Sequence, residues 1–167
     1  PNILHYLKII KPGDTVIDVG ANIGFYTLLF SRLVGNNGKV IAIEADQENY
    51  KLLKKNIDEN KFKNIVALHN GVSDNTDVIS LIRGNTIGEH KLSNQKSHDT
   101  NYSQVKCLKL DDICKDINKI KLLKSDTEGH EIHVLNGCKT LLEKNKINNI
   151  MIEFNISHLN YYKSKPK

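Results

Sequence analysis

Residues 14–24 read DTVIDVGANIG, and their reading decides the fold. Residues 14–19 are a short, nearly continuous β-branched run, with Pro12-Gly13 before it and Gly20 after it. That is the pattern of a parallel strand buried on both faces. Residues 23–33 (IGFYTLLFSRL) have helical length, and Gly35 stands where a C-terminal cap belongs. The glycines between strand and helix permit a tight turn and close approach of backbone to a ligand. The helix start adds unpaired N–H groups and the positive end of the dipole.

The same alternation continues outward. Residues 39–44 (KVIAIE) form a second buried strand, and residues 47–59 form an amphipathic helix with Tyr50, Leu53 and Ile57 on one stripe. Residues 64–69 (NIVALH) form a third strand. Three strands separated by two helices are the half-unit of a doubly wound parallel sheet, an α/β fold whose ligands bind beyond the carboxyl ends of the strands. Residues 78–83 and 105–110 then read as an inserted strand pair, and a short helix opens at Asp111-Asp112. Residues 120–125 are the fourth strand of the main sheet, 131–142 a helix interrupted by Gly137, and 149–154 the fifth strand. The polar stretch 84–104 is too long for an ordinary hairpin loop and is expected to form a flap over the acceptor side of the crevice. No repeat or linker divides residues 1–167, so a single domain is expected.

Composition narrows the function classes. A chain of 167 residues with 39% hydrophobic and 26% charged residues can bury a core and is neither collagen-like nor disordered. No apolar run approaches the length of a membrane helix, and residues 1–10 lack a signal-peptide pattern. The net charge is +5, but Lys outnumbers Arg by 22 to 2 and no aromatic-basic repeat is present. Arg is preferred for phosphate and base recognition, so the lysines read as a solvated surface and no nucleic-acid or membrane partner is expected. Three cysteines, Cys107, Cys114 and Cys138, without C-x-x-C spacing point to thiols in a reducing, cytoplasmic setting.

Spacing constrains the ligand. A dinucleotide fingerprint needs glycines where the chain has Asn22 and Phe25, and a phosphate loop needs Gly-Lys-Ser/Thr where it has Gly24-Phe25-Tyr26. What remains is D-x-G-x-x-x-G with an acid, Glu44, ending the second strand. An acid there can accept both hydroxyls of a ribose. Two other classes stay open at this point: another nucleotide-handling enzyme such as an NAD-dependent oxidoreductase, and a non-catalytic interaction module that keeps the fold.

The blocks VIDVGANIGFYT, VIAIEAD, VKCLKLDDI, KSDTEGHEIHVLNG and IMIEFN, in this order, resemble the FkbM-type S-adenosylmethionine-dependent methyltransferases. The resemblance spans about residues 15–154. It implies a Rossmann-like class I methyltransferase sheet, S-adenosylmethionine as cofactor, and O-methylation of a hydroxyl on a small molecule or glycan. It also implies that Gly20, Ala21, Asn22 and Gly24 cradle the methionine part, that Asp18 supports that loop, and that Glu44 and Ala45 lie at the ribose. Gly71 and Val72, within 70–74, would lie against the adenine. Class I sheets normally finish with two further strands, for which residues 155–167 are too few, so these strands are expected to be lacking.

Asp126, Glu128 and Glu131 follow the fourth strand and Glu153 ends the fifth, so these acids are expected at the same crevice. A hydroxyl acceptor needs a base, and Asp126 or Glu128 fits that role, with His130 as competitor. Ser125-Asp126-Thr127-Glu128 equally fits a helix capping box, so capping and catalysis compete as readings. The acids could also hold Mg²⁺, but no pair has a metal-loop spacing and no metal is expected. His69 reads as a satisfied core residue and His133 as an exposed or packed one.

Overall fold

The computed structural model describes residues 3–82, 91–93 and 102–153. Helix α1 (Ile3–Ile9) leads into β1 (Thr15–Val19), α2 (Phe25–Val34), β2 (Lys39–Glu44), α3 (Gln47–Glu59) and β3 (Ile65–His69). Four short strands follow, β4 (Gly71–Val72), β5 (Val78–Ile82), β6 (Lys91–Ser93) and β7 (Tyr102–Leu108). The chain then runs through α4 (Leu110–Ile113), β8 (Leu122–Ser125), α5 (Glu131–Asn136), α6 (Lys139–Glu143) and β9 (Ile150–Ile152).

The main sheet has the order β3-β2-β1-β8-β9 with all neighbours parallel. Strand order reverses between β1 and β8, which opens a crevice at the carboxyl ends of those strands. Pairing brings those ends level: Val19 stands opposite Ile43 and Ser125, and Ser125 opposite Ile152. Strand alternation sends side chains to two layers. Ile17, Ile41 and Leu123 pack on Leu110, Val134 and Leu141, while Val16, Val40 and Leu122 pack on Tyr6, Phe30 and Val34. Both layers are almost fully buried, as a parallel sheet requires.

Three expectations change. The insertion after β3 is a four-stranded sheet of order β4-β7-β5-β6 and not a strand pair. Strand β6 lies inside the stretch expected to be loop. It carries one apolar residue in three, so only its pairing with β5 defines it, with Leu92 opposite Leu81. The rest of the expected flap, residues 83–90 and 94–101, lies outside the described residues, as does the tail from 154 on which the missing strands were argued. His69 is exposed, not in the core. Its ring stacks on Tyr50 and its Nε2 lies 3.2 Å from the Ala45 carbonyl. Helix α1 was not legible in the sequence, because Leu4 and Leu7 are exposed and blur its apolar stripe. Tyr6 anchors it edge-on against Tyr26 and Phe30.

Among the described residues no helix is long and apolar enough to cross a membrane. The three cysteines are free and buried. Burial pushes the Cys107 and Cys114 thiols up to about 12 and the Cys138 thiol up to about 11, so none is a thiolate at neutral pH.

Candidate active site

The turn after β1 is built on backbone conformations that few side chains tolerate. Gly20 has φ 73° and Gly24 has φ 99°. A Cβ on Gly20 would overlap the carbonyl of Asp126, so this glycine lets two strand ends approach. Asn22 adopts φ 52°, a region that asparagine visits more readily than most residues. The N–H groups of Gly20 and Ala21 both donate to the Ile43 carbonyl, which ties the turn to β2.

Glu44 organises the far side of this turn. It is 6% exposed. Its Oε2 accepts from the Asn22 N–H at 2.7 Å and its Oε1 from the Asp46 N–H at 2.8 Å. A carboxylate has about four lone-pair sites, so acceptor capacity remains. Burial pushes its pKa up to about 7, against the downward pull of the two amide bonds. Asp46 caps α3 by accepting from Glu48 and Asn49, which seats Asn49 beside the cleft.

A cleft opens between the glycine turn, the end of β2, the small sheet and the turn after β8. Of the residues singled out in the sequence, Gly20, Asn22, Glu44, Ala45, Gly71, Val72, Asp126 and Glu128 line it. Asp18, Ala21, Gly24 and His130 do not. Asp18 is fully buried beneath the turn, with its Oδ2 accepting from Thr27 at 2.7 Å. Ala21 packs with Ala42, Leu53 and Ile57, and Gly24 caps α2. Asn49, Leu81, Leu92 and Thr127 also line the cleft and were not legible as site residues. Leu81 and Leu92 are placed by the small sheet, whose position no local pattern reveals.

The turn after β8 carries the acids. Asp126 is partly exposed at the cleft, and burial holds its pKa above the ordinary carboxylate value although the Lys124 ammonium offsets part of that rise. Glu128 has φ 52° and Gly129 φ 106°, so the chain turns back on itself there. Glu131 holds this conformation: its Oε1 accepts from Thr127 N–H, Thr127 hydroxyl and Gly129 N–H, each at 3.1 Å. The expected capping box at 125–128 is therefore replaced by a clamp from Glu131, because α5 starts five residues later than that box requires.

His130 is 3% exposed and stacks on His133 at 4.3 Å. Ser73 donates to Asp74 Oδ1 and His133 Nδ1 donates to Asp74 Oδ2, so His130 Nε2 donates to the Ser73 hydroxyl. Its remaining nitrogen, Nδ1, is buried without a partner. Burial drives its pKa down to about 4. The two histidines thus join α5 to the segment after β4. Among the described residues no group of three or more His, Cys, Asp or Glu converges on a metal-binding position.

The donor set fits S-adenosylmethionine. A buried acid with spare acceptor capacity suits ribose hydroxyls, and Ala45, Val72, Leu81 and Leu92 offer an apolar wall for a flat base. Asp126 lines the same cleft beside Gly20, where its charge would suit a cationic amino-acid end.

A family model described as the methyltransferase FkbM domain matches residues 18–163. The chain is 28% identical over 146 residues to the hexuronic acid methyltransferase AglP of Haloferax volcanii, covering 84% of this chain and 55% of that protein. It is 36% identical over 80 residues to the catalytic subunit TRM61 of the tRNA (adenine(58)-N(1))-methyltransferase of Yarrowia lipolytica, 47% of this chain and 20% of that one. The crystal structure of a methyltransferase FkbM from Methylobacillus flagellatus superposes with a TM-score of 0.59 at 19% identity, covering 89% of this chain and 39% of that one. That likeness concerns the fold. The chain thus spans about half the length of the archaeal relative and a smaller share of the other two.

Proposed function

The chain belongs to the FkbM methyltransferase family, and on that premise we propose that it is an S-adenosylmethionine-dependent methyltransferase acting on a hydroxyl of a small molecule or glycan. The observation that carries this reading is the pairing, across one cleft, of the buried Glu44 beside the glycine turn with the acids Asp126 and Glu128. When bound, S-adenosylmethionine would supply a methyl group for in-line displacement, with the sulfonium sulfur leaving as a neutral thioether. The chain's residues bind, align and handle the proton. Glu44 accepts from the ribose hydroxyls, and Gly20 and Asn22 give the methionine part close access to backbone. Asp126, nearest the strand, takes the cationic amino group. Glu128, farther along the turn, takes the proton from the acceptor hydroxyl, whose pKa far above 7 makes a positioned base worth about 10²–10⁴-fold. His130 is the weaker candidate for the base, since its only unbonded nitrogen is buried.

The likeness to a hexuronic acid methyltransferase over 84% of this chain supports a sugar-bearing acceptor. The buried free thiols support a reducing, cytoplasmic setting. Calorimetry with S-adenosylhomocysteine and with NAD tests the cofactor. Binding of the first without the second is expected, and absence of S-adenosylhomocysteine binding would remove this reading. Methyl transfer to a panel of hexuronic-acid glycans and other hydroxyl acceptors then tests the substrate class.

A further inference from the structure

Lys124 is a charged residue inside the apolar strand β8, and its side chain is 4% exposed. Burying an ammonium is costly unless it is paired. Its Nζ lies 3.2 Å from Asp18 Oδ1 and 3.8 Å from Asp126 Oδ2. It also lies 5.0 Å from the centre of the Tyr26 ring, a cation–π distance. Strand alternation explains the grouping, because Asp18 and Lys124 stand opposite one another in register on the face covered by α1 and α2. Asp18 in turn accepts from Thr27 of α2. A continuous polar line therefore runs from α2 through β1 and β8 to Asp126 at the cleft wall.

Asp18 and Asp126 are not equivalent ends of that line. Asp18 is fully buried, whereas the Asp126 side chain is 30% exposed and lines the cleft. One ammonium thus stands between a locked carboxylate and one that can protonate or turn to solvent.

We propose that Lys124 is a positioning residue of the cleft: by bridging Asp18 and Asp126 it keeps Asp126 ionised and aimed at the ligand, and it fastens the exit of β8 to the glycine turn. The consequence for ligand binding rests on the reading of this cleft as the cofactor site; the bridge itself does not. The charged and titratable groups facing Lys124 are Asp18 from β1, Asp126 from the turn after β8 and Tyr26 from α2; Tyr6 from α1 packs edge-on against Tyr26 and acts on Asp18 and Asp126. Glu153 after β9 and Glu131 of α5 act on Asp126 as well. Burial would lower the Lys124 pKa, but Asp18 and Asp126 together hold it above the ordinary lysine value, so the cation persists at neutral pH. Without it, Asp18, Asp126 and Glu153 would face one another uncompensated.

The test reads Asp126 directly, because Glu44 titrates in the same cleft and would confuse a bulk pH profile. Carboxyl ¹³C NMR of the ligand-free protein, with Asp126→Asn to assign the signal, should place the Asp126 midpoint at least about one pH unit higher in Lys124→Met. Lys124→Arg, which keeps the charge, should restore most of it. An unchanged midpoint in folded Lys124→Met overturns the proposal and leaves Lys124 as a stabilising partner of Asp18 alone. If that variant does not fold, the wild-type protein still decides. The Lys124 ¹⁵Nζ shift should follow the Asp126 titration, and a flat signal through it overturns the proposal. A binding cycle adds the functional consequence. Lys124→Met should weaken S-adenosylhomocysteine at least about ten-fold in the wild-type background and hardly at all with Asp126→Asn already present. Fully additive losses count against the bridge. Failure of the wild-type protein to bind this ligand would instead defeat the cofactor reading, while the NMR result on Lys124 stands.

Discussion

Glu44 shows how much one residue can be asked to do. Two backbone amides hold it, burial pushes its pKa up to about 7, and its spare acceptor capacity faces the cleft. In the proposed function, ribose hydroxyls donating to it would favour the ionised form, which would link binding to proton release. S-adenosylhomocysteine affinity should therefore fall as pH drops below about 7, approaching ten-fold per pH unit, with a buffer-dependent binding enthalpy near neutrality. Glu44→Gln should weaken binding by about 1–3 kcal/mol and flatten this dependence. Calorimetry from pH 5.5 to 8 in two buffers checks both, and an unchanged profile in the variant would take Glu44 out of the linkage. The two acids after β8 divide differently. Glu128→Gln should keep cofactor affinity and lose about 10²–10⁴-fold in transfer, while Asp126→Asn should harm both. Single-turnover transfer to an identified acceptor, measured beside affinity, distinguishes them. Near-normal transfer by Glu128→Gln would pass the role to solvent or His130.

The element that matters most is the turn from Asp126 to Glu131. It holds two successive residues at positive φ, one of them Glu128, and a non-glycine residue keeps such a conformation only where its surroundings impose it. Here Glu131 imposes it through three bonds to one carboxylate oxygen. Glu131→Ala should lower stability by about 1–2 kcal/mol, since it leaves part-buried donors unpaired. Urea denaturation checks the magnitude, and a loss below about 0.5 kcal/mol would show that the turn holds itself. On the other flank, the small sheet places Leu81 and Leu92 at the cleft, so an inserted element shapes the site as directly as the parallel strands do.

Across the whole molecule, two buried groups with opposite titration behaviour offset each other. Glu44 titrates at about 7 when folded and near 4.5 otherwise, so the folded chain holds the extra proton between those values. Its contribution to stability is then lost as pH rises through that window. His130 titrates at about 4 when folded and near 6.5 otherwise, so its contribution is lost as pH falls through that range. Between pH 4.5 and 6.5 the two slopes oppose, each worth up to about 2–3 kcal/mol. Relative to wild type, Glu44→Gln should become more stable as pH rises across this interval and His130→Asn less stable. Urea denaturation at pH 4.5, 5.5 and 6.5 reads both slopes, and two variants that track wild type in parallel would refute the compensation.

The alternation of β-branched runs with amphipathic stretches was enough to locate β1, β2, β3 and α3, and the last of these is read from Gln47 to Glu59 in both sequence and structure. The glycine turn and Glu44 were legible for the same reason. Turn chemistry and strand ends are local properties, carried by neighbouring residues. Lys124 gave a partial signal, a charge in an apolar strand, but its partner Asp18 lies 106 residues away and only strand pairing brings them together. The small sheet's fourth strand, the exposure of His69 and the burial of His130 were likewise decided by packing. Leu81 and Leu92 look in sequence like ordinary strand residues; the sheet that carries them sets them against the cleft. Periodicity records which face of an element is apolar. What that face meets depends on contacts between distant segments, and those exist only once the chain has closed into its tertiary structure.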